Sequence, residues 1–457
     1  MQRTCFASGW LLAVAACGSP VGQSGGHASL PLEVYNGGPL LTAPVVVTVT
    51  FEGDPMAAEL ESFGQSVASS AWWDAVRSGY CANGGATCVG DGPQGTMVEL
   101  TTLAANRYTD SDQGGGTLQE WLTSAMTSGV LPMPDSNTLY VLYFPSTTTI
   151  SLDGVDSCVE DGFGGYHNSM MFGAQRVPYV AAIECEPIAS PFPNIATLTA
   201  LQNTTMTTSH EIAEASTDPV PPTGYTIDDT DPNNWGWIDV TGGGEAADMC
   251  VDFLSLNQDE TSDGSFTVQR IWSNAQATSG LDPCNPLPTG GDVYFNAAPR
   301  QAFFIVAVGE SVTFEVDAFA SAPMGDWTLT AQDWSDSAAT YLSFAIGDGV
   351  GTDAGPQIQV HDGSQVQVTV TLLQDPGSLD TGEADGSLIS FSGNAEGPLA
   401  GHFWPIAVMS PADAADAGIA PGTTARTPTS QMRRGRPVHS RHVSPARPWL
   451  GRRRLPF

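Results

Sequence analysis

The chain has 457 residues, which is enough for two or three domains. Its formal net charge is −34, it contains no lysine, and nine of its fifteen arginines lie from Arg426 onward. An acidic surface of this kind repels nucleic acid and anionic lipid, so we exclude nucleic-acid binding and expect a chain that stays soluble or binds cations.

The first residues are typical of an exported lipoprotein. Arg3 and the short apolar segment 10–16 predict a signal peptide over residues 1–16, too short to span a bilayer. The segment ends in Val14-Ala15-Ala16-Cys17, which is similar to a bacterial lipobox, so we expect a lipid on the sulfur of Cys17. Ordinary secretion with cleavage nearby is the alternative.

Residues 17–39 are rich in glycine and serine and predict a flexible tether. The chain is therefore expected to be exported, as an outer-membrane-anchored lipoprotein or an extracellular protein. It would touch the membrane only through the lipid on Cys17, and we expect a monomer.

Strands and helices alternate between residues 40 and 220, which predicts a mixed α/β layer structure within a domain over 40–286. Thr138–Phe144 is apolar on both faces and is therefore predicted to be a central strand. The other predicted strands are 44–51, 96–103 and 177–184. The predicted helices are 56–78, 117–128 and 194–217, the last of which ends at Asp218-Pro219.

Helical periodicity disappears from about residue 290, and short alternating runs separated by turn residues replace it. This pattern predicts a β-sandwich of immunoglobulin-like type over 290–411, with a binding or spacing role. Its predicted strands are 302–308, 311–318, 327–331, 357–360 and 365–373. The remaining residues, 412–457, are rich in arginine and proline and predict a disordered tail, which either binds an anionic surface or reflects a misread frame.

Six cysteines remain after Cys5 leaves with the signal and Cys17 takes the lipid. An even number in an exported chain predicts disulfides, and six cysteines allow fifteen pairings. The short loop makes Cys81–Cys88 the strongest prediction. Pairing of neighbours would add Cys158–Cys185 and Cys250–Cys284.

One segment carries a pattern typical of metal chemistry. His210 and Glu214 are four residues apart in a predicted helix, so both side chains lie on one face and can reach the same ion. Glu211 follows the first of them, as in the His-Glu-x-x-His zinc helix, where the middle glutamate is the general base. Zinc accepts carboxylate oxygen, so Glu in place of the second His keeps a site but weakens its Lewis acidity. The alternative is a chance pattern on an acidic helix.

A zinc site needs three protein ligands, and Asp218 and Asp248 are the candidates for the third. We expect Zn²⁺, with Ca²⁺ as the alternative; an imidazole ligand favours a transition metal because calcium prefers oxygen. His167 follows a glycine-rich turn. It is predicted either as a catalytic donor or further ligand opposite the helix, or as a structural cap of a loop tied by Cys158.

Several segments together resemble the phosphate-induced protein/EXORDIUM family, particularly its bacterial members. The resemblance covers residues 40 to 285 and rests on motifs in one order: FGQSVASSAWW (63–73), Leu131-Pro132, NTLYVLYFP (137–145), Ser157-Cys158, Gly165-Tyr166-His167, Ser209-His210-Glu211, Thr217-Asp218-Pro219 and Glu245-x-x-Asp248-x-Cys250. It implies a secreted protein linked to growth and cell-wall responses, of no settled activity. Its His-Glu helix resembles that of zincin-type metallopeptidases, and the exchange of His for Glu is part of the family pattern.

The sequence thus predicts a zincin-like α/β domain with an active-site helix, followed by the sandwich. The leading hypothesis is a metal-dependent hydrolase, specifically a peptidase, acting on a peptide or a cell-wall polymer. His210, Glu214 and Asp218 or Asp248 would hold the metal, and Glu211 and His167 would be catalytic. The alternative is a non-catalytic surface module in which the acidic cluster is structural or binds calcium and the sandwich mediates adhesion.

Overall fold

A computed structural model describes residues 27–82, 84–111, 114–159, 162–186, 198–220, 236–238, 245–253, 260–287, 293–335, 339–347, 350–352, 355–379, 383–392 and 401–416. The predicted signal peptide, Cys17 and most of the predicted tail lie outside these residues. No helix of the described chain is both long and apolar enough to cross a membrane.

A five-stranded mixed sheet forms the centre of the first half. Its strands are β1 (Val45–Phe51), β2 (Thr96–Leu100), β3 (Thr138–Phe144), β4 (Gly165–Phe172) and β5 (Gln175–Ile183). They lie in the order β4-β5-β3-β1-β2. β5, β3, β1 and β2 are parallel, and the edge strand β4 is antiparallel to β5. The prediction that β3 is central is confirmed, since all seven of its residues are buried.

Helices cover both faces of this sheet: α1 (Ala57–Ser66), α2 (Ala71–Val76), α3 (Thr117–Thr127) and α4 (Ala200–Thr217). Alternate residues of each strand enter two separate cores. Val46, Val141 and Val180 pack with α1, α2 and α4. Val47, Leu142 and Ala181 pack with α3.

Two predicted helix boundaries are wrong. The predicted helix 56–78 is two helices separated by the 3₁₀ turn Val67–Ser69, because the Ser70 Oγ accepts a hydrogen bond from Trp73 N and starts α2. The predicted helix 194–217 begins at Ala200. Thr199 and Gln202 form a capping box that fixes this start, and residues 194–197 lie outside the described chain.

Short elements follow α4 in the loop-rich region: Trp237–Ile238, α5 (Asp248–Phe253), the hairpin of β6 (Glu260–Asp263) and β7 (Phe266–Gln269), Ile271–Trp272, α6 (Asn274–Thr278) and Cys284–Asn285. β7 lies along α4. Other short strands of the first half are Val34–Tyr35, Cys81–Ala82, Thr87–Cys88, Arg107–Asp110, Thr149–Leu152 and Val155–Asp156.

Two β-sheets with a common core form the second half of the described chain. The four-stranded sheet has the order Phe295–Pro299, Ser311–Ala320, Gln365–Leu372 and Leu342–Ile346. The six-stranded sheet has the order Phe303–Ile305, Gly401–Met409, Ala384–Phe391, Trp327–Asp333, Gly355–Val360 and Val350–Thr352. All five predicted strands of this region are present, with five further strands that were not predicted.

The end of the sandwich differs from the prediction. Helix α7 (Pro411–Asp416) continues past the predicted boundary at 412, so residues 412–416 are not part of a structureless tail. Ser410 explains the difference, because its Oγ accepts a hydrogen bond from Asp413 N and caps the helix. Ala414 of α7 is buried against Phe303 and Met409.

All three predicted disulfides, Cys81–Cys88, Cys158–Cys185 and Cys250–Cys284, are present. The third joins α5 to the strand Cys284–Asn285, and both sulfurs belong to the same core as the sandwich. α5 also packs against the strand Gly401–Met409. The sandwich therefore supports the helix that carries Asp248.

Candidate metal centre

Helix α4 is buried along most of its length, although its sequence is polar. Every residue from Asn203 to Thr217 is buried. Several of its hydroxyl groups donate to backbone carbonyls of the preceding turn, as Thr208 does to Thr204 O at 2.7 Å. Gly165 allows β4 to lie close to the helix, because a Cβ there would be only 2.7 Å from the Thr207 side chain. This approach brings His167 of β4 to the helix.

The predicted pair of ligands on α4 converges. His210 Nε2 lies 3.0 Å from Glu214 Oε1, and both side chains are buried. Asp248, at the start of α5, places its Oδ1 3.9 Å from the same nitrogen, and its backbone N–H donates to Glu214 Oε1 at 3.3 Å. Imidazole nitrogen and carboxylate oxygen at this separation can hold one metal ion. We call His210, Glu214 and Asp248 the α4–α5 triad.

Gln269, at the end of β7, orients His210. Its Oε1 lies 2.7 Å from His210 Nδ1, while its Nε2 donates to Ala247 O at 2.8 Å. Because Ala247 O can only accept a hydrogen bond, the side-chain nitrogen of Gln269 must face Ala247. The side-chain oxygen of Gln269 then faces His210 and accepts a hydrogen bond from Nδ1–H. His210 therefore presents Nε2, the nitrogen with the lone pair, to the triad. The sequence pattern of α4 contains no signal for Gln269, which is 59 residues away.

His167 lies next to carboxylate oxygens of Glu211 and Glu214. Its Nδ1 lies 3.3 Å from Glu211 Oε2 and 3.6 Å from Glu214 Oε2. His167, Glu211 and Glu214 form a second group that can hold an ion, which we call the β4–α4 triad. His167 lies within β4 and does not cap a loop, so the structural alternative offered for it does not describe its position.

Two further carboxylates lie on the His167 side. Glu245 Oε1 is 3.6 Å from His167 Nε2, and neither oxygen of Glu245 has a hydrogen-bond partner among the described residues. Asp218 Oδ1 accepts a hydrogen bond from Gly236 N at 3.0 Å. Of the two candidates for the third ligand, the structure brings Asp248 to His210, whereas Asp218 ends α4 and belongs to neither triad.

Burial and the charges of neighbouring carboxylates shift the pKa values of Asp218, Glu245 and His167. Burial raises the pKa of Asp218 to about 7, with Glu214 adding to the increase. Burial, followed by the charges of Glu214 and Asp218, holds the pKa of Glu245 well above its usual value. Burial lowers the pKa of His167, but the carboxylates of Glu211 and Glu214 outweigh it and leave that pKa above its ordinary value.

Five carboxyl groups and two imidazoles thus share one buried region: Glu211, Glu214, Asp218, Glu245, Asp248, His167 and His210. No ion pair of the described chain joins an arginine to any of them. Lysine is absent from the sequence, so within the described residues the balance of this charge is left to protons or bound cations.

The cluster is enclosed. The side chain of Asp248 is 18% exposed, whereas the side chains of both histidines, Glu211, Glu214 and Glu245 are at most 2% exposed. Asp248 is therefore the member of the described cluster that is most exposed to solvent.

Trp237 packs against two tyrosines. Its ring packs edge-on against Tyr80 at 5.4 Å and lies 5.9 Å from Tyr35, and its strand pairs with Val34–Tyr35. Trp237 thus packs its segment against Tyr35 and Tyr80. Trp235, the other tryptophan of the segment, lies outside the described residues.

Comparisons with known proteins show no family for the chain. No family model matches it, and no curated protein matches it. Solved structures with partial likeness include a conjugative transposon lipoprotein from Bacteroides eggerthii, with 8% identity over 25% of this chain and 95% of that one, at a TM-score of 0.18. Domains 4 and 5 of the S-layer protein SbsC match at 13% identity over 36% of this chain and 73% of that one, also at a TM-score of 0.18. Likenesses this weak carry no argument about function.

Proposed function

We propose that the protein is an exported, metal-dependent hydrolase whose ion is held by His210, Glu214 and Asp248. The observation that carries the proposal is the 3.0 Å approach of His210 Nε2 to Glu214 Oε1, with Asp248 Oδ1 3.9 Å away. One imidazole and two carboxylates are a donor set that zinc accepts. Buried oxygens nearby that lack a hydrogen-bond partner within the described residues, such as Glu211 Oε1 and Glu245 Oε2, also fit a site that needs a cation.

A bound zinc ion would supply Lewis acidity that polarises a scissile carbonyl. The chain itself supplies the proton transfer. Glu211 is the general base, and His167 Nδ1, 3.3 Å from Glu211 Oε2, holds that carboxylate in position. Peptides are the proposed substrate class, because the His-Glu helix resembles that of zincin-type metallopeptidases and α4 packs on a mixed sheet, as a zincin-like domain requires.

Glu211→Gln tests the assignment. The mature full-length protein, purified without chelator, should contain zinc by mass spectrometry and should cleave members of a peptide library. Glu211→Gln should keep the ion at His210, Glu214 and Asp248 but lose cleavage by about 100-fold or more. Glu99→Gln, on the exposed surface of β2, is the matched control. Equal cleavage by Glu211→Gln and the native protein would reject the role of Glu211.

The enclosure of the cluster favours a second function, a structural ion that fastens α4 to α5 within a non-catalytic surface module whose sandwich mediates adhesion. Such an ion would stabilise the fold by an amount set by its affinity. Removing it with a chelator would lower the unfolding temperature, and no peptide of the library would be cleaved before or after zinc is restored. Cleavage that depends on Glu211 would exclude this alternative.

A further inference from the structure

We infer that the cluster holds a second divalent cation, bound by His167, Glu211 and Glu214, with Glu214 bridging the two ions. The inference rests on the proposed function because the first ion shares Glu214. It adds a metal position, and a consequence for Glu211, that the one-ion site does not have.

The two oxygens of Glu214 face opposite sides of the cluster. Oε1 is directed at His210 Nε2, 3.0 Å away, and Oε2 lies 3.6 Å from His167 Nδ1. A carboxylate with one oxygen toward each imidazole has the arrangement of a bridging ligand. Bridged metal ions in hydrolytic sites are commonly about 3.5–4 Å apart, a distance that one carboxylate spans.

Each imidazole has one nitrogen toward Glu214 and the other toward a group that can accept its proton. His210 Nδ1 meets Gln269 Oε1 at 2.7 Å. His167 Nε2 faces Glu245 Oε1 at 3.6 Å, slightly beyond hydrogen-bond distance. Metal-binding histidines characteristically give their second nitrogen to a carboxylate or carbonyl. The His210 side of the cluster has this outer partner in Gln269, and on the His167 side Glu245 lies next to the nitrogen that would need one.

Glu245 is the independent observation that favours a second ion. It is 98% buried, and both its oxygens lack a hydrogen-bond partner among the described residues. If all five carboxyl groups are ionised, a single divalent ion leaves three negative charges. A second ion reduces the excess to one, on the side of the cluster where Glu245 and Asp218 lie.

Occupancy of the second position has a functional consequence. Glu211 would be a metal ligand there, so it would no longer be free to accept a proton. The first ion would therefore support hydrolysis and the second would suppress it, and hydrolysis would rise and then fall as zinc increases. The second position makes the site sensitive to the external zinc concentration.

The test is zinc stoichiometry of the mature full-length protein, stripped of metal and titrated calorimetrically. The native protein should bind two ions, the second more weakly. His167→Gln and Glu211→Gln should each bind one, Asp248→Asn should lose the tighter step, and Glu214→Gln should lose both. Glu99→Gln should bind two. Circular dichroism of each variant identifies any that has failed to fold.

The outcomes separate the two proposals. A native protein that binds one zinc ion, with unchanged binding in His167→Gln, would overturn the second site and leave the first intact. A native protein that binds none would overturn the proposed function and this inference together. Replacement of zinc by Co²⁺ adds a readout independent of the variants, since two ions bridged by Glu214 should be magnetically coupled and isolated ions should not.

Discussion

Gln269 Oε1 accepts a hydrogen bond from His210 Nδ1 over 2.7 Å, and this contact selects the nitrogen that His210 presents to Glu214. The side-chain amide of Gln269 also donates a hydrogen bond to Ala247 O, and the backbone N–H of Gln269 donates to Ser209 Oγ at 2.9 Å. Gln269 is therefore a positioning residue that acts through His210.

Gln269→Leu should weaken zinc binding at the α4–α5 triad about 10- to 100-fold, because the imidazole loses the partner that fixes its tautomer and orientation. Calorimetric titration with zinc measures the change. Gln359→Leu, on an exposed strand of the sandwich, is the matched control and should bind zinc as the native protein does. Unchanged affinity in Gln269→Leu would show that the contact does not position the ligand.

Asp218→Asn should make the metal-free protein more stable at pH 8 and should stabilise it less at pH 5. The pKa of Asp218 is raised from 3.8 to about 7, so the folded state holds this proton more tightly than the unfolded state. The free energy of unfolding of the native chain therefore decreases as the pH rises from about 4 to about 7. Asparagine removes the ionisation and keeps an oxygen for Gly236 N.

Chemical denaturation of chelator-treated protein at both pH values measures this effect. Asp362→Asn, at an exposed position of the sandwich, is the control and should leave the dependence on pH unchanged. If Asp218→Asn is destabilised equally at pH 5 and pH 8, the carboxylate contributes through its hydrogen bond and not through its charge.

Gly236→Ala should destabilise the fold by about 1–3 kcal/mol, as overpacking of a close contact does. A Cβ at this position would lie 1.9 Å from Thr217 O, at the end of α4. The backbone would have to move, and the hydrogen bond from Gly236 N to Asp218 would be lost with it. Gly325→Ala, where no atom lies within 4 Å of the added carbon, should be nearly neutral in the same thermal unfolding measurement.

Removal of the Cys250–Cys284 disulfide by a double change to alanine should lower both stability and zinc affinity. The bridge closes a segment of 34 residues and fastens α5, the helix that begins at Asp248. The chain-entropy effect of such a bridge is about 2–4 kcal/mol. Thermal unfolding should show a lower unfolding temperature, and zinc titration of the same variant should show a lower affinity.

The Cys81–Cys88 pair supplies the comparison, since it closes only seven residues and joins two strands that carry none of the candidate ligands. Its replacement by alanine should lower stability less and should leave zinc affinity unchanged. Equal losses of zinc affinity in the two double variants would mean that the Cys250–Cys284 bridge does not act on Asp248.

The sequence by itself predicted many of the longer elements of this protein and, through the short loop between them, the Cys81–Cys88 pair. β3 is apolar on both faces, and a central strand has no solvent-exposed face, so composition alone placed it in the sheet. His210 and Glu214 share a helix, and the pitch of a helix alone sets their side chains together. Start points of helices were less predictable, because the caps at Ser70 and Thr199 compete with equally polar neighbours.

Only the tertiary structure decided which distant residues complete the site. His167 reaches α4 because β4 is the edge strand of the sheet, and Gln269 reaches it because β7 lies along the helix. The sandwich and the disulfide support α5, and the position of α5 places Asp248, and not Asp218, beside His210 and Glu214. Such contacts join residues tens of positions apart, and a spacing pattern reports only neighbours within one element, so no local signal distinguishes them.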